Sequence, residues 1–133
     1  MAADVGTGIA IVFGTSGFTA EITDINGQGI ARESINTSHH GTIAWHTFIP
    51  SDLVNPGTTT LEFNFDPDAQ PPVTAAAETI TITFPVPSGL TNGATAAGTG
   101  FIESWEWGAP LEEKMVGTAV IKWSALPTWT AAS

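Results

Sequence analysis

The chain has 133 residues, of which 13 are acidic and three are basic, and its formal net charge is −10 at pH 7. Three basic side chains cannot build a surface that neutralises phosphates, which excludes sequence-independent nucleic-acid binding and disfavours anionic membranes. The absence of cysteine excludes a disulfide framework, a thiolate zinc site and a cysteine nucleophile. The sequence predicts one soluble, cytoplasmically made globular domain over residues 1–133, with no membrane-spanning segment.

Apolar and polar residues alternate along several short segments, which is the pattern of strands with one buried face. Abundant threonine and glycine also favour strands and turns over helices. In chain order the segments are 19–23, 30–35, 42–49, 60–66, 79–84, 100–107 and 117–123. Turn residues such as Asn26-Gly27 separate these segments, so the sequence predicts a mostly β fold, an antiparallel β-sandwich or a barrel-like sheet.

Segment 100–107 does not alternate cleanly. Phe101, Trp105 and Trp107 share one face with Glu103, which leaves a carboxylate among aromatic rings. Either a β-bulge or a strand that is partly buried on both faces explains this pattern.

Three further segments are predicted from their local composition. Residues 51–55 form a short helical turn, because Ser51 suits an N-cap. Residues 72–78 form a second turn, because Pro72 suits the first turn of a helix. The small residues of 91–100 are typical of a flexible loop.

The titratable residues do not form a recognisable catalytic or metal site. His39, His40 and His46 are close in sequence, but adjacent residues of a strand point to opposite faces, so we expect ordinary loop histidines. Glu103 and Glu106 resemble a glycosidase pair, but their spacing also places them on opposite faces of a strand. No nucleophile stands beside a base and no phosphate-binding loop is present. The sequence therefore predicts no enzyme, metal or cofactor.

Five tryptophans allow two interpretations. Trp45, Trp105, Trp107, Trp123 and Trp129 could form a sugar-stacking platform, or they could lie in the core and at subunit interfaces. Trp123 is on the inward face of its segment, which favours the core. Trp129 follows a proline near the end of the chain, and for this residue the interpretation as a subunit-interface residue is more open.

The order of several turn-and-strand segments is more specific than any one of them. They are I-N-T-S-H-H-G at 35–41, F-I-P-S-D-L-V-N-P-G at 48–57, L-E-F-N-F-D-P at 61–67, I-T-F-P at 82–85 and G-T-A-V-I-K at 117–122. In this order, over roughly residues 9–129, the chain resembles the major tail-tube proteins of long-tailed bacteriophages. Residues 124–127 depart from the Ser-Gly with which many of those proteins continue.

The resemblance implies a β-sandwich with one short helix, six copies of which join edge to edge into a ring. Rings stack into a hollow tube that conducts DNA in the virion tail, which is assembled in the host cytoplasm with tape-measure and tail-terminator proteins. A long loop at 37–58 and extended termini at 1–8 and 125–133 would hold one ring to the next. The loop residues expected at that contact are His39, His40, Trp45, Pro50, Leu53 and Pro56.

The acidic composition fits a conduit better than a DNA-binding protein. Six chains at −10 would give a ring of about −60, and a wall that repels a polyanion lets it slide without specific binding. Screening acts over about 8 Å at physiological salt, so only acids near the lumen would matter. Glu62, Asp66 and Glu78 are the candidate lumen-facing acids.

Two other functions remain open. A carbohydrate-binding β-sandwich would use Trp105, Trp107 or Trp45, and it would be a monomer. Another virion component, such as a tail terminator or a capsid decoration protein, would share the β fold but would not polymerise into a tube.

Overall fold

The structure is a computed structural model that describes residues 9–19, 21–39, 41 and 44–133. Within those residues the chain forms nine strands and no helix. The strands are β1 (Ala10–Phe13), β2 (Glu21–Gln28), β3 (Ala31–Asn36), β4 (Phe48–Asn55), β5 (Thr58–Asn64), β6 (Glu78–Thr83), β7 (Thr95–Gly108), β8 (Val116–Trp123) and β9 (Thr128–Thr130). All pairings between them are antiparallel, which confirms the predicted fold class.

Seven strands form one sheet in the order β1-β6-β7-β8-β5-β2, with β9 paired to the start of β7. β7 has 14 residues; residues 95–100 pair with β6, and residues 100–108 pair with β8. We call β2, β5, β8 and residues 101–108 of β7 the β2 half of the sheet. We call β1, β6, β9 and residues 95–100 of β7 the β1 half. β3 and β4 form a separate two-stranded hairpin.

The sheet curls around one hydrophobic core to which both halves contribute. Alternate residues of β5, β6 and β8 point inward, as the alternation of segments 60–66, 79–84 and 117–123 predicts. β1 approaches β2 although the two strands lie at opposite ends of the strand order. The buried residues of the core are Ile11, Phe13, Phe18, Leu61, Phe63, Ile80, Ile82, Ala96, Ile102, Ala119, Ile121 and Trp123.

The irregular segment around Glu103 contains a β-bulge. The register of β7 with β8 shifts between Ile102 and Ser104, so Glu103 is the extra residue. This shift lets Ile102 point into the core while Trp105 still packs against its edge. Of the two interpretations that the sequence leaves open, the bulge is correct.

The predicted helical turns are wrong in the described residues. Residues 51–55 belong to β4, where pairing such as Arg32 with Val54 outweighs the local N-cap signal of Ser51. Residues 72–77 form a turn, with the N–H of Ala75 donating to the carbonyl of Pro72 at 3.2 Å. The predicted strand 42–49 is also displaced, because β4 begins only at residue 48.

Residues 95–100 of the predicted flexible loop are instead the paired first part of β7. Their small side chains are required by close neighbours. A Cβ atom on Gly98 would lie 3.0 Å from Cα of Pro127, and one on Gly100 would lie 2.9 Å from the carbonyl oxygen of Lys122. Glycine here therefore permits close packing, which composition alone does not distinguish from flexibility.

The C-terminal segment 125–133, predicted as an extended arm, folds back onto its own chain. β9 pairs with β7, and Trp129 stacks on Phe84 with ring centroids 5.6 Å apart. Ser133 and Asn92 exchange two backbone hydrogen bonds, of 2.7 and 3.1 Å. The predicted N-terminal arm, 1–8, lies outside the described residues. In the part of the chain that is described, no helix has the length and apolarity to cross a membrane.

Candidate assembly surfaces

The outward face of the β2 half carries a row of acids. Asp24 of β2 lies opposite Glu62 of β5, Glu62 opposite Thr118 of β8, and Thr118 opposite Glu106 of β7. All three acids are exposed. Because neighbouring strands lie about 4.8 Å apart, the row spans about 14 Å across the four strands.

The acid row has a cost in stability. Asp24 and Glu62 are direct cross-strand neighbours, and like charges in that position destabilise a sheet. The Asp24 carboxylate accepts hydrogen bonds from the N–H of Ile25 at 2.9 Å and from the side-chain amide of Asn26 at 3.2 Å. Those bonds tie the Asp24 carboxylate to residues of its own strand, and they do not compensate the negative charge of Glu62. The row therefore does not stabilise the sheet through the Asp24–Glu62 pair.

Charge on this face changes along the strands. Lys122 lies four residues after Thr118 on β8, opposite Thr58 on one side and Phe101 on the other. Lys122 is two outward-facing positions along β8 from the acid row, and each such step of two residues covers about 6.8 Å. The paired positions of the intermediate row, Asn26, Thr60, Val120 and Ser104, are uncharged, and the exposed bulge residue Glu103 lies beside Ser104. One end of the face is therefore acidic, and the other has a single cation.

Both side edges of the β2 half lack a hydrogen-bonded partner strand in the described chain, although β1 approaches β2. β2 is the last strand in the sheet order, with β5 as its one partner. Residues 101–108 of β7 pair with β8 alone, because the pairing with β6 and β9 ends by residue 100. Free edges present unpaired backbone N–H and C=O groups, which can pair with another chain.

The β3–β4 hairpin exposes apolar side chains. Within the described residues its two strands contact each other, and neither contacts a strand of the seven-stranded sheet. Leu53 is 81% exposed and Trp45, in the connecting loop, is 76% exposed. An isolated two-stranded hairpin is at best marginally stable in water. The exposed apolar residues of this hairpin also include Ile35, Phe48 and Ile49.

The predicted inter-ring residues gather on this hairpin. Pro50 and Leu53 lie on β4, and Trp45 and His39 lie in the loop before it. Pro56 follows β4 at the base of the hairpin. His40 lies outside the described residues. The second half of the predicted loop 37–58 is thus mostly strand β4, and the five candidate residues that the structure describes lie on this hairpin, in its loop or at its base.

The three candidate acids have three different environments. Glu62 is exposed on the outward face, as predicted. Asp66 lies beyond the end of β5, in a turn where it accepts the N–H of Asp68 at 2.9 Å, and not on the strand face. Glu78 is only 7% exposed, and this burial does not fit the lumen-facing position predicted for it.

Glu78 is instead a structural residue. Its Oε1 accepts hydrogen bonds from the N–H of Thr15 at 3.1 Å, the N–H of Ser16 at 2.9 Å and the Ser16 hydroxyl at 3.0 Å. These bonds attach the turn after β1 to the start of β6. The alternating pattern of 79–84 does not reveal this role, because it depends on a segment 62 residues away.

Asp24 and Glu106 complete the acid row, and the sequence analysis did not assign them to it. The predicted strand ended at residue 23, and Asn26-Gly27 suggested a turn. A register shift between Ile22 and Asp24 carries β2 through both positions and turns Asp24 outward. The available signal was the alternation of polar residues at positions 24, 26 and 28.

The remaining candidate residues do not form a chemical site. Among the described residues, no three His, Asp or Glu side chains lie close enough to bind a metal ion. Phe65 stacks on Trp107 at 5.6 Å and packs against Trp105 at 5.7 Å, so each indole has one face occupied by a ring of its own chain. Trp123 is in the core, as predicted.

No protein-family model matches the chain, and no curated protein matches its sequence. Solved structures do match its fold. The sheath/tube terminator of PVC, an extracellular contractile injection system, has a TM-score of 0.75 at 12% identity, covering 98% of this chain and 99% of that one. The tube-terminating cap of the anti-feeding prophage has a TM-score of 0.73 at 14% identity, covering 99% and 94%.

A chain of the native gene transfer agent virion has a TM-score of 0.66 at 14% identity, covering 97% of this chain and 100% of that one. Sequence identities this low support the fold and nothing finer. The similarity nevertheless extends over nearly the full length of each pair of chains. The chain therefore has the fold of tail-tube and tube-terminator proteins.

Proposed function

We propose that this protein is a tail-tube subunit of a phage or phage-like particle, and that its role is structural. Six copies, each a single domain, would form a ring, and rings would stack into a tube through which DNA passes without specific binding. The observation that carries the proposal is the β2 half, a four-stranded layer with a free edge on each side. Such a layer can pair edge to edge with copies of itself until the ring closes.

The size of the ring agrees with this role. Six four-stranded layers would give 24 strands, which at about 4.8 Å per strand enclose a circle about 37 Å across before any tilt. Tilting the strands by 35–45° widens the circle further. Side chains on the inner face then leave a bore that can hold a DNA duplex.

The outward face of the β2 half would line that bore. Asp24, Glu62 and Glu106 would form a band of negative charge around the lumen. Close to the wall this band would repel a polyanion, and beyond about 8 Å salt would screen it. The like-charge pair of Asp24 and Glu62, which has a cost within one subunit, would serve the passage of DNA.

The β3–β4 hairpin would hold one ring to the next. Its exposed apolar residues, including Trp45 and Leu53, require a partner surface that the described chain does not offer. The other copies of the chain, a tape-measure protein in the lumen and a terminator at the tube end are the partners of such an assembly. The particle tail would be its location.

A tail terminator is the second candidate. The similarity to the sheath/tube terminator and to the tube-terminating cap favours it, because those chains have the same fold. A terminator would form one ring with the same edge pairing, and it would not polymerise.

Electron microscopy of the purified protein, with its mass in solution, tests the proposal. A tube subunit should give rings of six times the 13.8 kDa chain mass that stack into tubes as concentration rises. A single ring that never stacks would indicate a terminator. A strict monomer at high concentration, also in the presence of tail-tip proteins, would contradict both.

A further inference from the structure

One end of the curled sheet has an apolar hollow of about 310 Å³. Ile30, Phe84, Leu126 and Trp129 are among its lining residues, and no lining residue is charged. Ile30, Leu126 and Trp129 are each at least half exposed, so the hollow is open to solvent. Water in an open apolar hollow is readily displaced by an apolar side chain.

The opposite end of the sheet presents an apolar side chain outward. Leu111, in the loop between β7 and β8, is 91% exposed, more than any other large apolar residue in the described chain. The next residue, Glu112, has a φ of 65°, and no other described non-glycine residue has a positive φ. A strained conformation that persists at a loop tip is a feature of binding segments.

The two sites cannot meet within one chain. The loop precedes Val116 and the hollow contains Trp123, the first and last residues of β8. Seven residue steps of a strand separate those positions by about 24 Å. A contact between them requires two copies of the chain, one above the other in the same orientation.

Charge also distinguishes the two ends. Glu112 and Glu113 follow Leu111 on the loop, and Lys114 comes next, so the loop has a net charge of −1. Near the hollow, Arg32 lies two residues after Ile30, and Lys122 lies opposite Thr58, which lines the hollow. The end that would receive the loop thus has two of the three basic residues of the chain, and the third, Lys114, lies on the loop itself.

We infer that the loop at 109–115 of one copy inserts Leu111 into the hollow of a second copy stacked on it. This head-to-tail contact is heterologous, so it repeats along an axis without closing. The contact rests on the proposed function for its place between rings. It adjoins the β3–β4 hairpin, because Ile30 and Pro56 at the base of that hairpin line the hollow.

Disulfide cross-linking tests the inference, because the chain has no cysteine of its own. In a variant with Leu111→Cys and Leu126→Cys, mild oxidation should produce a ladder of covalent dimers, trimers and longer products on non-reducing gels. A mixture of the two single variants should give cross-linked dimers at most, because each chain then has a single cysteine. An intramolecular bond is excluded, since a disulfide needs Cα atoms within about 7 Å.

The matched control pairs Leu111→Cys with Thr79→Cys, an exposed position on the β1 half. A ladder no stronger than that of the control would overturn the inference. A second variant, Leu111→Asp, should raise the concentration needed for stacking about tenfold or more, because the buried leucine is lost. The mass of a single ring should not change, and unaltered stacking would count against the contact.

The outcomes separate this contact from the proposed function. A cross-linking ladder without rings of six subunits would support the head-to-tail contact and contradict the proposal of a tube subunit. Rings without a ladder would overturn the contact and leave the edge pairing intact. Both results together would support stacked rings joined through Leu111.

Discussion

The indole nitrogen Nε1 of Trp123 donates a 2.8 Å hydrogen bond to Oγ1 of Thr59, and both residues are buried. Trp123 is the last residue of β8, and Thr59 is near the start of β5. The bond satisfies the one polar atom of a large core side chain at the end of the sheet that contains the apolar hollow. It thus connects the packing of the core to the wall of that hollow.

Thr59→Val should lower the free energy of unfolding by about 2 kcal/mol, because it leaves the Trp123 N–H buried without an acceptor. Thr59→Ser keeps the hydroxyl and should cost about 0.8 kcal/mol for the lost methyl group. Urea denaturation of dilute, monomeric protein measures both values. A valine variant as stable as the serine variant would show that the bond contributes little.

Glu78→Ala should lower the free energy of unfolding by about 2 kcal/mol, because Thr15 and Ser16 lose a shared charged acceptor. Glu78→Gln keeps an oxygen in place and should cost about half as much. Thermal unfolding followed by circular dichroism compares the two variants. Equal losses would mean that burial of the side chain matters and the hydrogen bonds do not.

Gly117→Ala should destabilise the fold by about 1–3 kcal/mol through overpacking. Its Cβ would lie 2.7 Å from Cζ of Phe63, a fully buried core residue. Gly108→Ala is the matched control, because nothing lies within 4 Å of its Cβ position, and its effect should stay within about 0.5 kcal/mol. The two denaturation midpoints would coincide if Phe63 could move aside freely.

Glu62→Gln should raise the free energy of unfolding by about 0.5 kcal/mol at low salt, since it removes the like charge opposite Asp24. The gain should shrink toward zero in 1 M salt, where the Debye length is about 3 Å. Glu113→Gln, in the loop between β7 and β8, changes the net charge equally and lies outside the paired strands. A gain of the same size in that control would assign the effect to net charge.

The alternating segments predicted the core well, and non-local contacts explain the rest. Ile80, Ile82 and Phe63 are inward because their strands are regular. β2 was predicted too short because its register shift at Asp24 interrupts the alternation. The close neighbours of Gly98 are Pro127 and Trp123, which come from a later part of the chain, and no local pattern encodes them.

The candidate surfaces were predictable in part for the same reason. Leu53 and Trp45 could be assigned to one contact because they are close in sequence. The acid row required the register of four strands, which places Asp24 level with Glu106 although 82 residues separate them. Likewise, the exposure of Leu111 depends on the loop conformation that Glu112 adopts.

The continuity of β7 across both halves of the sheet has a mechanical consequence. The two halves share β7 and one hydrophobic core, so unfolding of one half exposes the core residues of the other. The subunit should therefore melt in a single transition, in which tryptophan fluorescence and backbone circular dichroism coincide. Two distinct midpoints would show that the halves are independent. A wall built from such subunits would bend at the joints between them, because the two halves of each subunit share one core.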